Sequence, residues 1–111
     1  MELKTEARGN VQVVSVQGSL DALTAPELED ALKTQLRNGN KQLVADLQGL
    51  DYTSSAGLRV LLNAVKSARQ EGGDLRLAGV QANVKKVLEL SGFTSIMKSF
   101  PDTEAAVASF A

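Results

Sequence analysis

Three consecutive hydroxyl residues, Thr53, Ser54 and Ser55, are the side chains of this sequence best placed to do chemistry. The apolar run at residues 43–45 predicts a buried strand before them, and the helical spacing of apolar residues over 58–68 predicts a helix after them. The hydroxyls therefore lie where a strand ends and a helix begins. Open α/β sheets bind their ligands at that edge.

The start of a helix can hold an anion, because its first backbone N–H groups are free and carry a partial positive charge. Two interpretations of the three hydroxyls follow. In the first, one of them is the N-cap of the helix, a common role for serine and threonine. In the second, one of them accepts a phosphate and acts as a switch. The two are compatible, because one serine can cap the helix while its neighbour is modified.

The composition of the chain excludes several kinds of site. It has no histidine and no cysteine, which excludes Cys and His nucleophiles, Ser-His-Asp triads and nearly all zinc sites. The net charge is −1 and no block of lysine and arginine stands out, so nucleic-acid binding is not expected. The 111 residues are 43% hydrophobic and 23% charged, which suits one globular domain.

The location of the protein is also indicated by what the sequence lacks. Its first residues do not resemble a signal peptide, and no apolar run approaches membrane-spanning length. We therefore expect a cytoplasmic protein with no direct membrane insertion.

The elements that position the hydroxyls can be predicted along the whole chain. Strands are predicted over residues 3–8, 11–17, 42–47, 74–78 and 95–100, with a turn at 9–10 and a loop at 18–22. Four helices are predicted. The first covers residues 24–38, the second runs from the hydroxyls at 53–55 to a stop at 71–73, the third covers 81–91, and the last begins at 101–102. The strand–helix–strand spacing predicts parallel pairing through crossover helices.

The start of the first helix has a strong local signal. Thr24 and Glu27 form a predicted capping box, flanked by Leu23 and Leu28 as a hydrophobic staple. Pro26 fits the first turn, where its missing N–H has little effect.

The end of the chain is predicted from similar signals. Gly92 is expected to end the third helix, with Phe93 packing back onto Leu88. In the last helix, Val107 and Phe110 are expected to be the buried residues.

Residues 51–62, which read Asp-Tyr-Thr-Ser-Ser-Ala-Gly-Leu-Arg-Val-Leu-Leu, closely resemble the signature of the STAS domain family, named for sulphate transporters and anti-sigma factor antagonists. Residues 18–21, Gly-Ser-Leu-Asp, resemble a loop of that family that is often Gly-Glu-Leu-Asp. The order β-β-α-β-α-β-α-β-α is similar to the STAS fold along the whole chain. The resemblance thus implies an α/β fold: one STAS domain over residues 1–111, with a mixed, mostly parallel sheet of about four to five strands and four helices.

The resemblance also implies which hydroxyl is modified. When Gly57 and Leu58 are matched to the family signature, Ser55 falls on the serine that the family phosphorylates. Ser54 falls where many members have Asp, and Ala56 where they have Ser or Thr. Ser55 is therefore the expected acceptor and Ser54 the alternative.

An anti-sigma factor antagonist that works by partner switching is the function that the resemblance implies. Its unphosphorylated form would bind a serine-kinase anti-sigma factor and release the sigma factor, and phosphorylation of Ser55 would weaken that complex. A PP2C-type phosphatase would reset the switch. The chain would then be a monomer or weak homodimer and not an enzyme, and it would have no cofactor of its own, because ATP and Mg²⁺ belong to the kinase.

Other functions of the family remain open at the level of sequence. The chain could be an accessory subunit that docks onto the ATPase of a membrane transporter, or a nucleotide-binding STAS module. Copurification distinguishes the anti-sigma factor antagonist, which would bring down a soluble kinase, from the accessory subunit, which would bring down a transporter ATPase. Titration with a nucleotide would test the nucleotide-binding module.

A partner-binding surface is predicted around the acceptor. Val60, Ala64 and Ser67 lie away from the main apolar stripe of their helix, so Val60 is expected to be exposed, either as a lone surface valine or as the centre of a partner contact. The complete predicted surface is Asp21, Thr53, Ser54, Ser55, Ala56, Gly57, Arg59, Val60 and Asn63.

Three acidic residues, Asp21, Asp46 and Asp51, are expected near the acceptor. Isolated loop acids are more often turn or cap formers than metal ligands. In the family, however, the residue like Asp21 lies close to the acceptor. We therefore expect Asp21 and Asp46 to contribute to kinase docking or Mg²⁺ positioning.

Overall fold

The chain folds into five strands and four α-helices around one sheet. The computed structural model describes residues 1–111. In chain order the elements are β1 (Glu2–Arg8), β2 (Val11–Leu20), α1 (Ala25–Arg37), β3 (Gln42–Thr53), α2 (Ser55–Gln70), β4 (Asp74–Ala78), α3 (Ala82–Leu90), β5 (Ser99–Phe100) and α4 (Thr103–Ala108). The strands lie in the order β1-β2-β3-β4-β5, with β1 antiparallel to β2 and all other pairs parallel. The predicted α/β architecture is therefore confirmed.

The two faces of the sheet are covered to different extents. Side chains alternate between the faces of a strand, so Val14 and Val16 of β2 join the main core while Val11 and Val13 join a smaller one. Helices α1, α2 and α3 cover the main core, and α4 contributes Ala106 to the smaller one. Beyond α4 the second face is an open polar depression lined by Glu2, Lys4, Ser15, Gln17, Asp46, Gln48 and neighbouring backbone.

The third strand is longer than the sequence predicts, because β3 continues through polar residues to Thr53. Shifts of register against β2 accompany the extension. Irregular pairing of this kind re-aims the side chains that follow it, and both Leu47 and Leu50 are fully buried in the main core. The loop predicted at residues 18–22 is also shorter, since β2 extends to Leu20.

The start of α1 differs from the predicted capping box. Thr24 is the N-cap by position, but its side chain makes no cap hydrogen bond to the helix. Its hydroxyl instead donates to the carbonyl of Ser19 at 2.9 Å and accepts from the N–H of Asp21 at 2.9 Å. The predicted staple is wrong as well, because Leu23 is 86% exposed. A side chain that bonds to nearby backbone in a turn is no longer free to cap the helix.

The C-terminal part follows the prediction in outline. Gly92 follows α3 with φ of 75°, as expected of a helix stop, and Phe93 is half-buried against the main core, to which Leu88 also belongs. The predicted last strand is only Ser99–Phe100, preceded by a short 3₁₀ turn. In α4 the buried residue is Ala106, whereas Val107 and Phe110 are half-buried. No helix combines the length and the apolarity needed to cross a membrane.

Candidate functional site

The junction between β3 and α2 holds its three hydroxyls in different environments. Thr53 is buried, and its hydroxyl donates to the carbonyl of Ser54 at 3.2 Å. Ser54 is the N-cap, with extended backbone and a side-chain oxygen that accepts from the N–H of Gly57 at 3.3 Å. Its own N–H donates to the carbonyl of Leu20 at 2.8 Å, which ties the junction to the end of β2. The cap role that the sequence left open among three hydroxyls therefore belongs to Ser54.

Ser55 is the first residue of α2 and is exposed. Its hydroxyl makes no hydrogen bond within the chain, in contrast to those of Thr53 and Ser54. The first turn of α2 contains no acidic residue, so no side chain of that turn neutralises the positive end of the helix dipole. Ser55 thus presents a free hydroxyl where an added anion would be electrostatically favoured.

Gly57 lets α2 begin directly against the ends of β2 and β3. It is buried, and a Cβ atom there would lie 2.5 Å from Oγ1 of Thr53 and 2.6 Å from side-chain carbons of Leu20. Contacts that short require the neighbours to move. A glycine at this position therefore fixes the height at which Ser55 projects from the sheet edge.

Asp21 forms the turn that follows β2. Its Oδ1 accepts from the N–H groups of Leu23 at 2.9 Å and of Thr24 at 3.0 Å. These hydrogen bonds, that from Thr24 first, lower the pKa of the Asp21 carboxyl below its ordinary value, since they favour the charged form. Asp21 is thus a turn-forming residue beside the junction, and its carboxylate is already engaged.

Asp51 and Asp46 occupy different parts of β3. Asp51 lies near its end, where Oδ1 accepts from the hydroxyl of Ser19 at 2.9 Å and its carbonyl accepts from the side chain of Asn83 of α3. Asp46 pairs with Ala78 in the middle of the sheet.

The expectation that Asp46 lies near the acceptor is wrong, because β3 continues far beyond it to Thr53. The structure contains no group of three or more His, Cys, Asp or Glu side chains able to hold a metal ion.

The predicted exposure of Val60 is also wrong. Val60 is only 8% exposed, because α1 packs along this side of α2. It lines a narrow groove between the two helices together with Ala64 and Ser67 of α2 and Leu32 of α1. The helix therefore has two apolar sides, one against the sheet and one against α1.

The predicted partner-binding residues divide by accessibility. Ser55, Arg59 and Asn63 are exposed and lie on successive turns of α2. Asp21, Ser54 and Ala56 are half-buried, and Thr53, Gly57 and Val60 are buried. The last three shape the site from below and contribute little surface of their own.

Two exposed apolar side chains that sequence reasoning missed lie on the segments that lead to the junction. Leu23 is 86% exposed and Tyr52 is 52% exposed, on the two chain segments that meet at Ser55. Between α1 and α2 a shallow depression is lined by Ala22, Ala25, Pro26, Glu29, Ala56, Arg59, Val60 and Asn63. The sequence patterns at Leu23 and Pro26 predict the start of a helix, and they do not reveal that both side chains are exposed.

Arg59 is the one basic side chain on the first two turns of α2. It is exposed, one turn after Ser55, and makes no ion pair within the chain. It therefore lies within the electrostatic reach of any charge added at Ser55.

A STAS-like α/β fold, with a serine at the N-terminus of its second helix, is the class that this geometry indicates. The model of the STAS domain family matches residues 2–106. The chain belongs to the STAS domain family, as the resemblance at residues 51–62 predicts.

Named relatives and solved structures agree with this assignment. BtrV of Bordetella bronchiseptica, named as an anti-sigma factor antagonist, is 39% identical over 110 residues, which are 99% of this chain and 95% of that protein. The structure of an anti-sigma factor antagonist of Thermotoga maritima superposes with a TM-score of 0.91 at 20% identity, covering 96% of this chain and 92% of that chain. The phosphorylated form of SpoIIAA, a Bacillus cell fate determinant, superposes with a TM-score of 0.77 at 18% identity, covering 99% and 100%. The two structures show the fold.

Proposed function

We propose that this chain is an anti-sigma factor antagonist whose binding to its partner is controlled by phosphorylation of Ser55. The unphosphorylated form binds a serine-kinase anti-sigma factor in the cytoplasm and frees the sigma factor. The kinase transfers phosphate to Ser55, which weakens the complex, and a PP2C-type phosphatase removes it. The observation that carries the proposal is the exposed, unpartnered hydroxyl of Ser55 beside the capping hydroxyl of Ser54.

In this scheme the chain is a regulatory substrate and binding module, not an enzyme. The hydroxyl of Ser55 has no base within hydrogen-bond distance, so its own chain does not activate it. The kinase supplies the base, the ATP and the Mg²⁺ ions, and the STAS chain holds no cofactor of its own. The chain itself supplies an exposed serine hydroxyl and the N-terminus of a helix, which stabilises the added negative charge.

Phosphate at Ser55 changes the character of the surface more than its shape. It adds about −1.5 to −2 charges at pH 7, at the same end of the sheet as the exposed apolar side chains of Leu23, which follows β2, and Tyr52, which lies near the end of β3. A partner that covers these apolar groups would have to bury the phosphate as well, and burying an unpaired charge is strongly unfavourable. The same helix start and Arg59 stabilise the phosphate in the free protein, which favours release.

Phosphosite mapping with the cognate kinase tests the proposal. The protein is incubated with ATP, Mg²⁺ and the serine kinase that copurifies with it, then digested and analysed by mass spectrometry. We expect phosphate on Ser55, its loss in Ser55→Ala, and its retention in the matched variant Ser54→Ala.

Binding to the same kinase gives a second readout. We expect Ser55→Asp to bind at least about tenfold more weakly than the wild type, because even one negative charge must be desolvated at the interface. Phosphate on another residue, or none with an active kinase, contradicts the assignment of Ser55.

A further inference from the structure

The outer edge of β1 has no partner in this chain. β1 is the terminal strand of the sheet and pairs only with β2. Along Glu2–Arg8 most side chains are exposed, and none is fully buried. An exposed edge of this kind can pair with another strand, and charged side chains decide which strand it accepts.

The charges along β1 alternate in sign on one face of the sheet. Glu2, Lys4, Glu6 and Arg8 share that face, since side chains alternate along a strand. Glu2 and Lys4 make no ion pair within the chain. Arg8 donates through Nε to Glu6 and through Nη1 to Glu104, both at 2.6 Å, which leaves Nη2 free. The edge therefore has charges still able to pair outward.

We propose that β1 pairs antiparallel with β1 of a second copy of this chain, about a two-fold axis that passes beside Thr5. In this register Glu2 lies opposite the partner's Arg8, and Lys4 lies opposite the partner's Glu6. The axis repeats both pairs, so every charge on the strand faces an opposite charge. On the other face, Leu3 lies opposite the partner's Ala7.

The two neighbouring two-fold registers are electrostatically unfavourable. A two-fold axis perpendicular to the sheet leaves the charged face of both copies on the same side of the joined sheet. Because side chains alternate along a strand, the register can then change only in steps of two residues. A shift in one direction places Lys4 opposite the partner's Lys4 and Glu2 opposite the partner's Glu6. A shift in the other direction places Glu6 opposite the partner's Glu6 and Lys4 opposite the partner's Arg8. Registers shifted by four residues pair opposite charges but join only three residues of each strand, so the proposed register is the one that pairs all seven residues with every charge facing an opposite charge.

The dimer is expected to be weak and to leave the junction at Ser55 free. Pairing through one seven-residue strand buries less surface than a standard stable interface, so we expect a dissociation constant in the micromolar range or weaker. Ser55 lies at the sheet edge beyond the end of β3. The two-fold axis places the Ser55 junctions of the two copies at opposite ends of the dimer, away from the paired β1 strands. The proposed dimer does not depend on the proposed function.

Charge exchange across the edge tests the proposal. Sedimentation equilibrium of the full chain, from about 10 μM to 1 mM in low salt, measures self-association. Lys4→Glu places like charges opposite each other twice per dimer, and we expect it to weaken association by about tenfold or more. Glu6→Lys is expected to do the same, and the double variant Lys4→Glu/Glu6→Lys to recover most of the affinity. Lys66→Glu on α2 makes the same charge change on an exposed residue away from this edge and is the matched control.

Three results would overturn the proposal. The first is a wild-type chain that remains monomeric at 1 mM. The second is a dimer that Lys4→Glu weakens no more than Lys66→Glu does. The third is a double variant that associates no better than the single ones. Thermal unfolding of each variant checks that the exposed substitutions leave the fold intact.

Discussion

At the scale of single residues, two adjacent serines with identical side chains have different tasks. The hydroxyl of Ser54 is used by the helix, through its hydrogen bond to the N–H of Gly57, and that of Ser55 is left to solvent. The sequence predicts a cap among three hydroxyls but cannot assign it, because the assignment depends on the residue at which β3 stops. Once Thr53 is buried as the last residue of β3, paired with Leu20 of β2, Ser54 becomes the cap and Ser55 the first helical residue.

Alanine substitution should separate these tasks. Ser54→Ala removes the cap, and we expect the free energy of unfolding to fall by about 0.5–2 kcal/mol. Ser55→Ala removes an exposed hydroxyl without partners and should change it by less than about 0.5 kcal/mol. Urea denaturation of both variants measures the difference. Equal losses of stability would show that Ser54 is not the cap.

Asp21 should give the stability a dependence on acid pH. Its pKa is lowered in the folded chain, chiefly by the hydrogen bond from the N–H of Thr24. A group with a lowered pKa stabilises the fold above its ordinary pKa, and this contribution is lost as the pH falls through the folded value. Side-chain carboxyl NMR should show Asp21 titrating below 3.8, the ordinary value. In urea denaturation, wild type and Asp21→Asn should differ by a constant amount near neutral pH and converge in acid; a separation unaffected by acid would contradict the assignment.

At the scale of elements, the sequence predicts the strands and helices well but predicts poorly which elements contact each other. The spacing of apolar residues in α2 indicates one buried stripe, and the burial of Val60 comes from α1 instead. In β3, Gln48 and Gly49 read as the end of a strand, because neither has strand propensity. The strand nevertheless continues through them, because Gly49 pairs with Gln17 of β2, which is a tertiary effect. Patterns within an element cannot report such contacts.

Val60→Lys tests the packing between α1 and α2. The substitution would place a charge beside Leu32 at a buried position between the two helices, and we expect the free energy of unfolding to fall by roughly 2 kcal/mol or more. Asn63→Lys introduces the same side chain at an exposed position one turn on, where the change should stay within about 0.5 kcal/mol. Thermal unfolding distinguishes them, and equal midpoints would mean that α1 does not cover Val60.

At the scale of the whole molecule, the architecture was predictable because local signals and the family signature agree along the chain. The mixed, mostly parallel sheet and the four helices follow from them, whereas the order of the strands across the sheet comes from the structure alone. The candidate site was predictable in its centre, at Ser54 and Ser55, and less so in its surroundings. Leu23 and Tyr52 are brought to the same edge by the ends of β2 and β3, which no spacing in the sequence encodes.

Phosphorylation should leave this architecture unchanged. Ser55 projects from the end of a helix whose cap, core side and strand contacts do not involve its hydroxyl. We therefore expect amide NMR spectra of the free and phosphorylated chain to differ only around the junction and α2 start. Shifts spread across β1, α3 and α4 would show that phosphate acts by refolding and not by surface charge.

Tyr52 gives the molecule a built-in optical reporter. It is the only tyrosine, and the chain has no tryptophan, so ultraviolet emission excited beyond the absorption of phenylalanine comes from this one ring. The ring is 52% exposed on the strand end that leads into Ser55. A protein that docks there should change its emission without any dye or engineered label. Association through β1 occurs at a different edge and should leave the emission as it was, so one spectrum can tell the two events apart.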